Sequence, residues 1–211
     1  MKTLTEPKAE QLLSKYLPIA DSILAKKAEE AKKFAKKAKY PVILKLISPQ
    51  ALHKTEVEGI RKADSEEELE KEFNDLISIA KKKRLKLEGV LVQEFVKGTE
   101  TIIGLKKDPA FGHVVVFGIG GVFVELLKDV SFRICPITDK DAESMIEELK
   151  AKKLLFGFRG AKPANIKALK NAIVAVSKIP EKHPEIEELD INPFMIDDKK
   201  GTVVDARIIM N

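Results

Sequence analysis

The sequence is poor in cysteine, histidine and tryptophan. One cysteine, Cys135, stands in 211 residues, which excludes an intrachain disulfide and any CxxC metal site. The three histidines, His53, His113 and His183, lie far apart and form no HxxxH pair. No apolar run approaches the ~20 residues of a membrane span, and the N-terminus lacks a signal-type hydrophobic stretch. These absences predict a soluble, reduced, cytoplasmic chain with no membrane partner. There is no tryptophan, and Lys and Glu dominate a charged fraction of 34%. That balance is compatible with a thermophilic source.

What is present suffices for a folded core: 44% of residues are hydrophobic. The length suits one large domain or two small ones. Net charge is +5, and much of the excess lies between Lys26 and Lys39, with seven lysines against Glu29 and Glu30. Leu24, Ala28, Ala31, Ala35 and Ala38 recur there at helical spacing beside Phe34, which predicts an amphipathic helix with a solvated basic back. The basic face has no interleaved aromatics and no arginine cluster, so it does not favour nucleic acid.

Before that helix, Leu12, Leu13, Tyr16 and Leu17 form a short amphipathic pattern ended by Pro18. After it, residues 40–47 form an apolar strand, expected to be buried on both faces. Lys45 within it requires an anion, or else snorkels at a strand edge. Residues 48–59 form a loop holding His53, Lys54, Thr55 and Glu56. Ser65 and Glu68 have capping-box spacing ahead of a helix with Leu69, Phe73, Leu76, Ile77 and Ala80 on one stripe. A strand follows over 89–96, then a turn at 97–100 and a strand from Thr101 to Leu105.

Asp108 to Gly112 is turn chemistry. Strands over 113–117 and 122–127 are joined by Gly118, Ile119, Gly120 and Gly121. The glycines suit either a backbone N–H cradle for phosphate or a tight hairpin turn, and no helix follows as a Rossmann or Walker motif demands. Asp139 caps a helix bearing Ala142, Met145, Ile146 and Leu149. Pro163 begins another, with Ile166, Leu169, Ile173 and Val176, stopped by Pro180. The alternation predicts two α+β halves, 1–96 and 97–211, with Gln93 to Glu100 joining them.

The last stretch concentrates polar oxygen. Residues 186–196 and 202–209 pattern as strands around the turn Asp197–Gly201. If Ile196 pairs with Gly201, Asn192 falls opposite Asp205. Directly opposed side chains lie about 5 Å apart. Such a pair can hold Mg²⁺, which takes few protein oxygens and completes its shell from water and phosphate. The same spacing suits an ordinary surface hairpin. Together, Lys45, the His53 loop, the 93–100 segment and the Asn192/Asp205 pair are what an ATP site needs.

Four motifs in order carry a resemblance: Pro41-Val42-Ile43-Leu44-Lys45; Ser48-Pro49 with Leu52-His53-Lys54-Thr55; Phe117 to Glu125 with its glycines; and Asp190-Ile191-Asn192-Pro193. They resemble the ATP-grasp beta subunit of ADP-forming acetyl-CoA synthetase, a relative of succinyl-CoA synthetase beta. The resemblance runs from about Lys39 onward. It implies an α+β ATP-grasp fold whose two subdomains hold the nucleotide between them. It implies that Lys45 and Gln93 lie in the nucleotide site with Lys45 on the phosphates. Glu94 and Val96 would meet adenine through the backbone, Glu100 the ribose, and Asn192 and Asp205 Mg²⁺. His53 would be a catalytic relay point or would orient the phosphate.

The implied reaction interconverts acyl-CoA, ADP and phosphate with acid, CoA and ATP through a phosphohistidine. The implied partner is a CoA-binding alpha subunit, because no second such domain fits in this length. The loop departs from the family pattern at Glu58-Gly59, where Gly-Gly is usual. Two other readings are a stand-alone ATP-grasp carboxylate ligase and a regulatory nucleotide-binding module.

Overall fold

Two antiparallel sheets organise the chain. The computed structural model describes residues 1–51, 58–121, 129–157 and 162–211. In chain order the strands are β1 (Lys2–Leu4), β2 (Ser22–Ala25), β3 (Val42–Ile47), β4 (Ile60–Ala63), β5 (Gly89–Glu94), β6 (Thr99–Asp108), β7 (Gly112–Ile119), β8 (Val130–Ile134), β9 (Ile186–Ile196), β10 (Gly201–Val203) and β11 (Ala206–Met210). The helices are α1 (Glu6–Leu13), α2 (Ala28–Ala38), α3 (Glu66–Lys82), α4 (Asp139–Glu148) and α5 (Ile166–Ser177).

One compact unit comprises Thr5–Pro7 and Ala20–Phe95. Its four-stranded sheet runs β2-β5-β3-β4. The core joins Val42, Leu44 and Leu46 of β3 with Val90 and Val92 of β5 and Leu69, Phe73 and Leu76 of α3. The small Ala31 and Ala35 of α2 are fully buried and let that helix approach closely. Ser65 starts α3 by accepting from the Glu68 N–H, while the Glu68 carboxylate accepts from the Asp64 N–H. Acidic residues fill the first turn of α3 and lysines its last, matching the helix dipole. Strand β3 is buried except at Ile43, which is half-buried.

The other unit comprises Met1–Leu4, Lys8–Ile19 and Val96–Asn211. Its seven-stranded sheet runs β1-β11-β9-β6-β7-β8, with β10 also on β9. Ile103, Phe117, Leu189, Ile191 and Phe194 from the sheet form one core with Met145 of α4 and Leu169, Ile173 and Val176 of α5. At the β6–β7 turn, Asp108 accepts from the N–H groups of Ala110 and Phe111, and Gly112 takes φ +73°.

The structure departs from the sequence expectations at several short elements. The N-terminal segment does not group with residues up to 96: β1 pairs with β11, and Ala9 and Leu13 of α1 join the core of the second unit. Leu24 belongs to strand β2, not to the lysine-rich helix. Strands β1, β2, β4 and β8 have three to five residues each, too few to establish a period against their neighbours. Gly118 and Ile119 are strand residues paired with Ile102 and Thr101 of β6, not a turn. Thr99 and Glu100 likewise begin β6. Thr138, not Asp139, caps α4 through a capping box with Asp141. Asn165 caps α5, leaving Pro163 outside it. The expected strand over 122–127 lies outside the described residues.

Candidate nucleotide and metal site

In the first unit the candidate residues cluster around Lys45. Its strand pairs with β5 so that Lys45 faces Leu91 and Ile43 faces Gln93. Period two then places Lys45 and Gln93 diagonally on one face. Lys45 is 5% exposed, and its ammonium donates to Gln93 Oε1 at 2.9 Å. Its anion is Glu6, also 5% exposed, with Oε1 at 2.7 Å. Lys45 therefore does not snorkel. Sequence reasoning missed Glu6, which lies 39 positions away. Its only signal was an acidic residue in the first turn of a short helix.

Glu94 ends β5. Its N–H donates to the Asp21 carbonyl at 2.9 Å, and its carboxylate accepts from the Asp21 N–H at 3.0 Å. The Glu94 N–H is thereby spent within the protein. Val96 is half-buried and opens the 96–211 segment of the second unit. His53 lies outside the described residues.

In the second unit Glu100 is exposed on β6, beside the glycine loop. The Gly120 N–H donates to the Glu100 carbonyl at 2.7 Å. A Cβ at Gly120 would stand 2.9 Å from the Glu100 Cβ, closer than such atoms approach. Glycine is needed here for close approach. The glycine motif and the candidate ribose acid, separate in the sequence, are thus one local structure.

The terminal hairpin has the expected register. Gly201 pairs with Ile196, Val203 with Phe194, and Ala206 with Ile191. Between the last two pairs, Asn192 stands opposite Asp205, and its N–H donates to the Asp205 carbonyl at 3.2 Å. On its other edge β9 bulges. Ile191 faces Ile103 and Phe194 faces Thr101, so Asn192 and Pro193 together oppose Ile102. Buried Thr101 anchors the bulge by donating to the Phe194 carbonyl at 2.8 Å. Bulges re-aim side chains at sites, and this one lies at the candidate ligand.

Asp190 and Arg207 extend this polar row, directly paired between β9 and β11. Arg207 donates to Glu188 at 2.8 Å and lies 3.9 Å from Asp190. Burial pushes the Asp190 carboxyl above its ordinary range; Arg207 opposes that shift, while Glu188 and Asp205 reinforce it. Among the described residues no group of three or more His, Cys, Asp or Glu side chains is arranged to hold a metal. An amide oxygen opposite a carboxylate is a sparse, hard donor set. It fits Mg²⁺ completed by water and phosphate, and not a caged structural ion. The other histidines are occupied elsewhere, His113 with the Ile186 carbonyl and His183 with Glu185.

The sequence pattern of a family described as an ATP-grasp domain matches residues 1–210. Two beta subunits of Pyrococcus furiosus, from acetate–CoA ligases [ADP-forming] I and II, are 42% and 45% identical. The matches cover 99% and 98% of this chain and 92% and 91% of theirs. The chain belongs to this ATP-grasp family of ADP-forming acetate–CoA ligase subunits. Other curated relatives of the family are much longer, and the chain spans about 29–30% of their length. The family likeness extends to solved structure. The dinucleotide-forming acetyl-coenzyme A synthetase 1 of Ca. Korarchaeum cryptofilum, in complex with coenzyme A, Ca-AMPCP and HgCl⁺, superposes with a TM-score of 0.95 at 47% identity. That match covers all of this chain and 94% of the other. No helix among the described residues is long and apolar enough to cross a membrane.

Proposed function

We propose that this chain is the nucleotide-binding beta subunit of an ADP-forming acyl-CoA ligase acting on acetyl-CoA or a related thioester. The complex interconverts acyl-CoA, ADP and phosphate with carboxylic acid, CoA and ATP. The observation that carries the reading is the opposition of Asn192 and Asp205 at the β9 bulge, in a chain of this family.

Each residue then has a role set by its chemistry. The Lys45 ammonium meets phosphate charge. Because the Glu94 N–H is spent on Asp21, the Glu94 carbonyl and the Val96 backbone serve the adenine edge, with Gln93 holding Lys45 beside them. The Glu100 carboxylate accepts from ribose hydroxyls. Asn192 and Asp205 supply oxygens to Mg²⁺, which when bound neutralises phosphate oxygens. His53 offers an imidazole, which when neutral is a competent nucleophile, for relaying the phosphoryl group from a phosphohistidine to ADP. The partner is a CoA-binding alpha subunit carrying that phosphohistidine.

The test is purification with a candidate alpha subunit, followed by ATP formation from acetyl-CoA, phosphate and ADP with Mg²⁺. ATP formation should require both chains and be lost in His53→Ala. Turnover by this chain alone would instead mean a stand-alone carboxylate ligase. Tight MgATP binding with no ATP formed from any acyl-CoA would mean a regulatory module.

A further inference from the structure

We propose that Glu6 is a positioning residue for the nucleotide site, fixing the Lys45 ammonium where it meets phosphate. The inference rests on the reading of Lys45 given above.

Lys45 sits in the interior of β3, between β4 and β5, with Ile60 and Leu91 as its cross-strand neighbours. Leu44, Leu46 and Ile47 beside it are buried apolar residues. An ammonium here loses its hydration, which is tolerable only with a paired charge and good hydrogen bonds. The structure supplies both: Glu6 at 2.7 Å and Gln93 at 2.9 Å, each at least 95% buried. Packing alone gives no reason for the pair, since apolar side chains of similar volume commonly stabilise as well or better. A lysine side chain is long and flexible, and holding it in one place takes directional acceptors. Two acceptors from different segments fix Nζ. Glu6 stands in the first turn of α1, where the dipole favours a carboxylate.

A carboxylate beside a phosphate-binding lysine can act in two opposite ways. It can compete with phosphate for the ammonium, or it can hold the ammonium in place while the two anions share it. The second fits a carboxylate that is buried and directly bonded to Nζ, because moving off the ammonium would give up a charge-assisted bond at a place where water does not readily replace it.

The experiment measures MgADP binding by titration calorimetry on the full chain, with folding checked by thermal melting. Glu6→Gln keeps the shape and removes the charge. It should weaken binding about tenfold or more, the size of a charged hydrogen bond. Glu6→Asp should recover part of the loss. In a Lys45→Ala background, Glu6→Gln should add less than about twofold, because a residue that acts through Lys45 has nothing left to position. Tighter binding in Glu6→Gln would establish competition and overturn the proposal. So would an equal loss with and without Lys45. If Glu6→Gln fails to fold, Glu6→Asp carries the same cycle: it should weaken binding in the Lys45 protein and add nothing in Lys45→Ala. A Lys45→Ala chain that binds MgADP normally would instead remove the reading of Lys45 as a phosphate ligand.

Discussion

Asn192 and Asp205 stand opposite each other where β9 bulges, joined by the bond from the Asn192 N–H to the Asp205 carbonyl. That bond is made by backbone, so side-chain replacements leave the hairpin register in place. Asn192→Ala and Asp205→Ala should each lower MgADP affinity by about 10–100-fold, the scale of losing a metal-site group. Nucleotide affinity measured in EDTA should change little. If the Mg²⁺ dependence of binding survived both substitutions together, the ion would belong elsewhere.

Glu100 is held by its contact with Gly120. A methyl group at Gly120 would press on the Glu100 Cβ at 2.9 Å and on its carbonyl carbon at 3.0 Å. One of these is backbone, which yields poorly. Gly120→Ala should destabilise the unit by about 1–3 kcal/mol, as overpacking does, and should raise the KM for ADP with a smaller change in kcat. A KM equal to wild type in the folded variant would show that Glu100 does not meet the ribose.

Long, strongly patterned segments declared themselves in the sequence. The α3 stripe from Leu69 to Ala80 and the alternation of β9 survive as read. The hairpin register followed from turn chemistry alone, since Gly201 at the end of a four-residue loop fixes every later pair. What escaped was either short or distant. Strand β4, Ile60-Arg61-Lys62-Ala63, is too charged to read as a strand, yet charge is ordinary on an exposed sheet edge. Glu6 could not be matched to Lys45, because nothing local marks a buried ion pair made across 39 residues. The bulge at Asn192 was also invisible: it arises from pairing with β6, not from the hairpin's own pattern.

Glu58 takes φ +54°. This is the left-handed region, which costs a residue with a Cβ roughly 1–2 kcal/mol. Its side chain is exposed, so little packing is at stake. Glu58→Gly removes the clash and gives back about 0.5–1 kcal/mol as the extra freedom of glycine in the unfolded chain. The net expectation is a gain of up to about 1 kcal/mol, or a Tm higher by about 2–4 °C for a chain of this length. A lower Tm would mean that the Glu58 side chain makes a compensating interaction.

Cys135 follows β8, and burial pushes its thiol from an ordinary 9.0 up to about 11, with a backbone hydrogen bond opposing. The thiolate is the reactive form. At pH 8 a thiol with pKa near 11 is about 0.1% ionised, against about 9% for one at the ordinary 9.0. Alkylation by iodoacetamide should therefore run about a hundredfold slower in the folded protein than in denaturant. Its rate should climb about tenfold per pH unit up to pH 10. The sign for stability follows from the same shift. The folded state keeps its proton where the unfolded chain has lost it, so this contribution is fully present below pH 9 and is lost as pH rises towards 11. Alkylation at pH 8 as fast as in denaturant would show that the thiol is open to solvent. Replacement by alanine should flatten whatever part of the alkaline stability loss belongs to Cys135, measured as Tm against pH between 8 and 11.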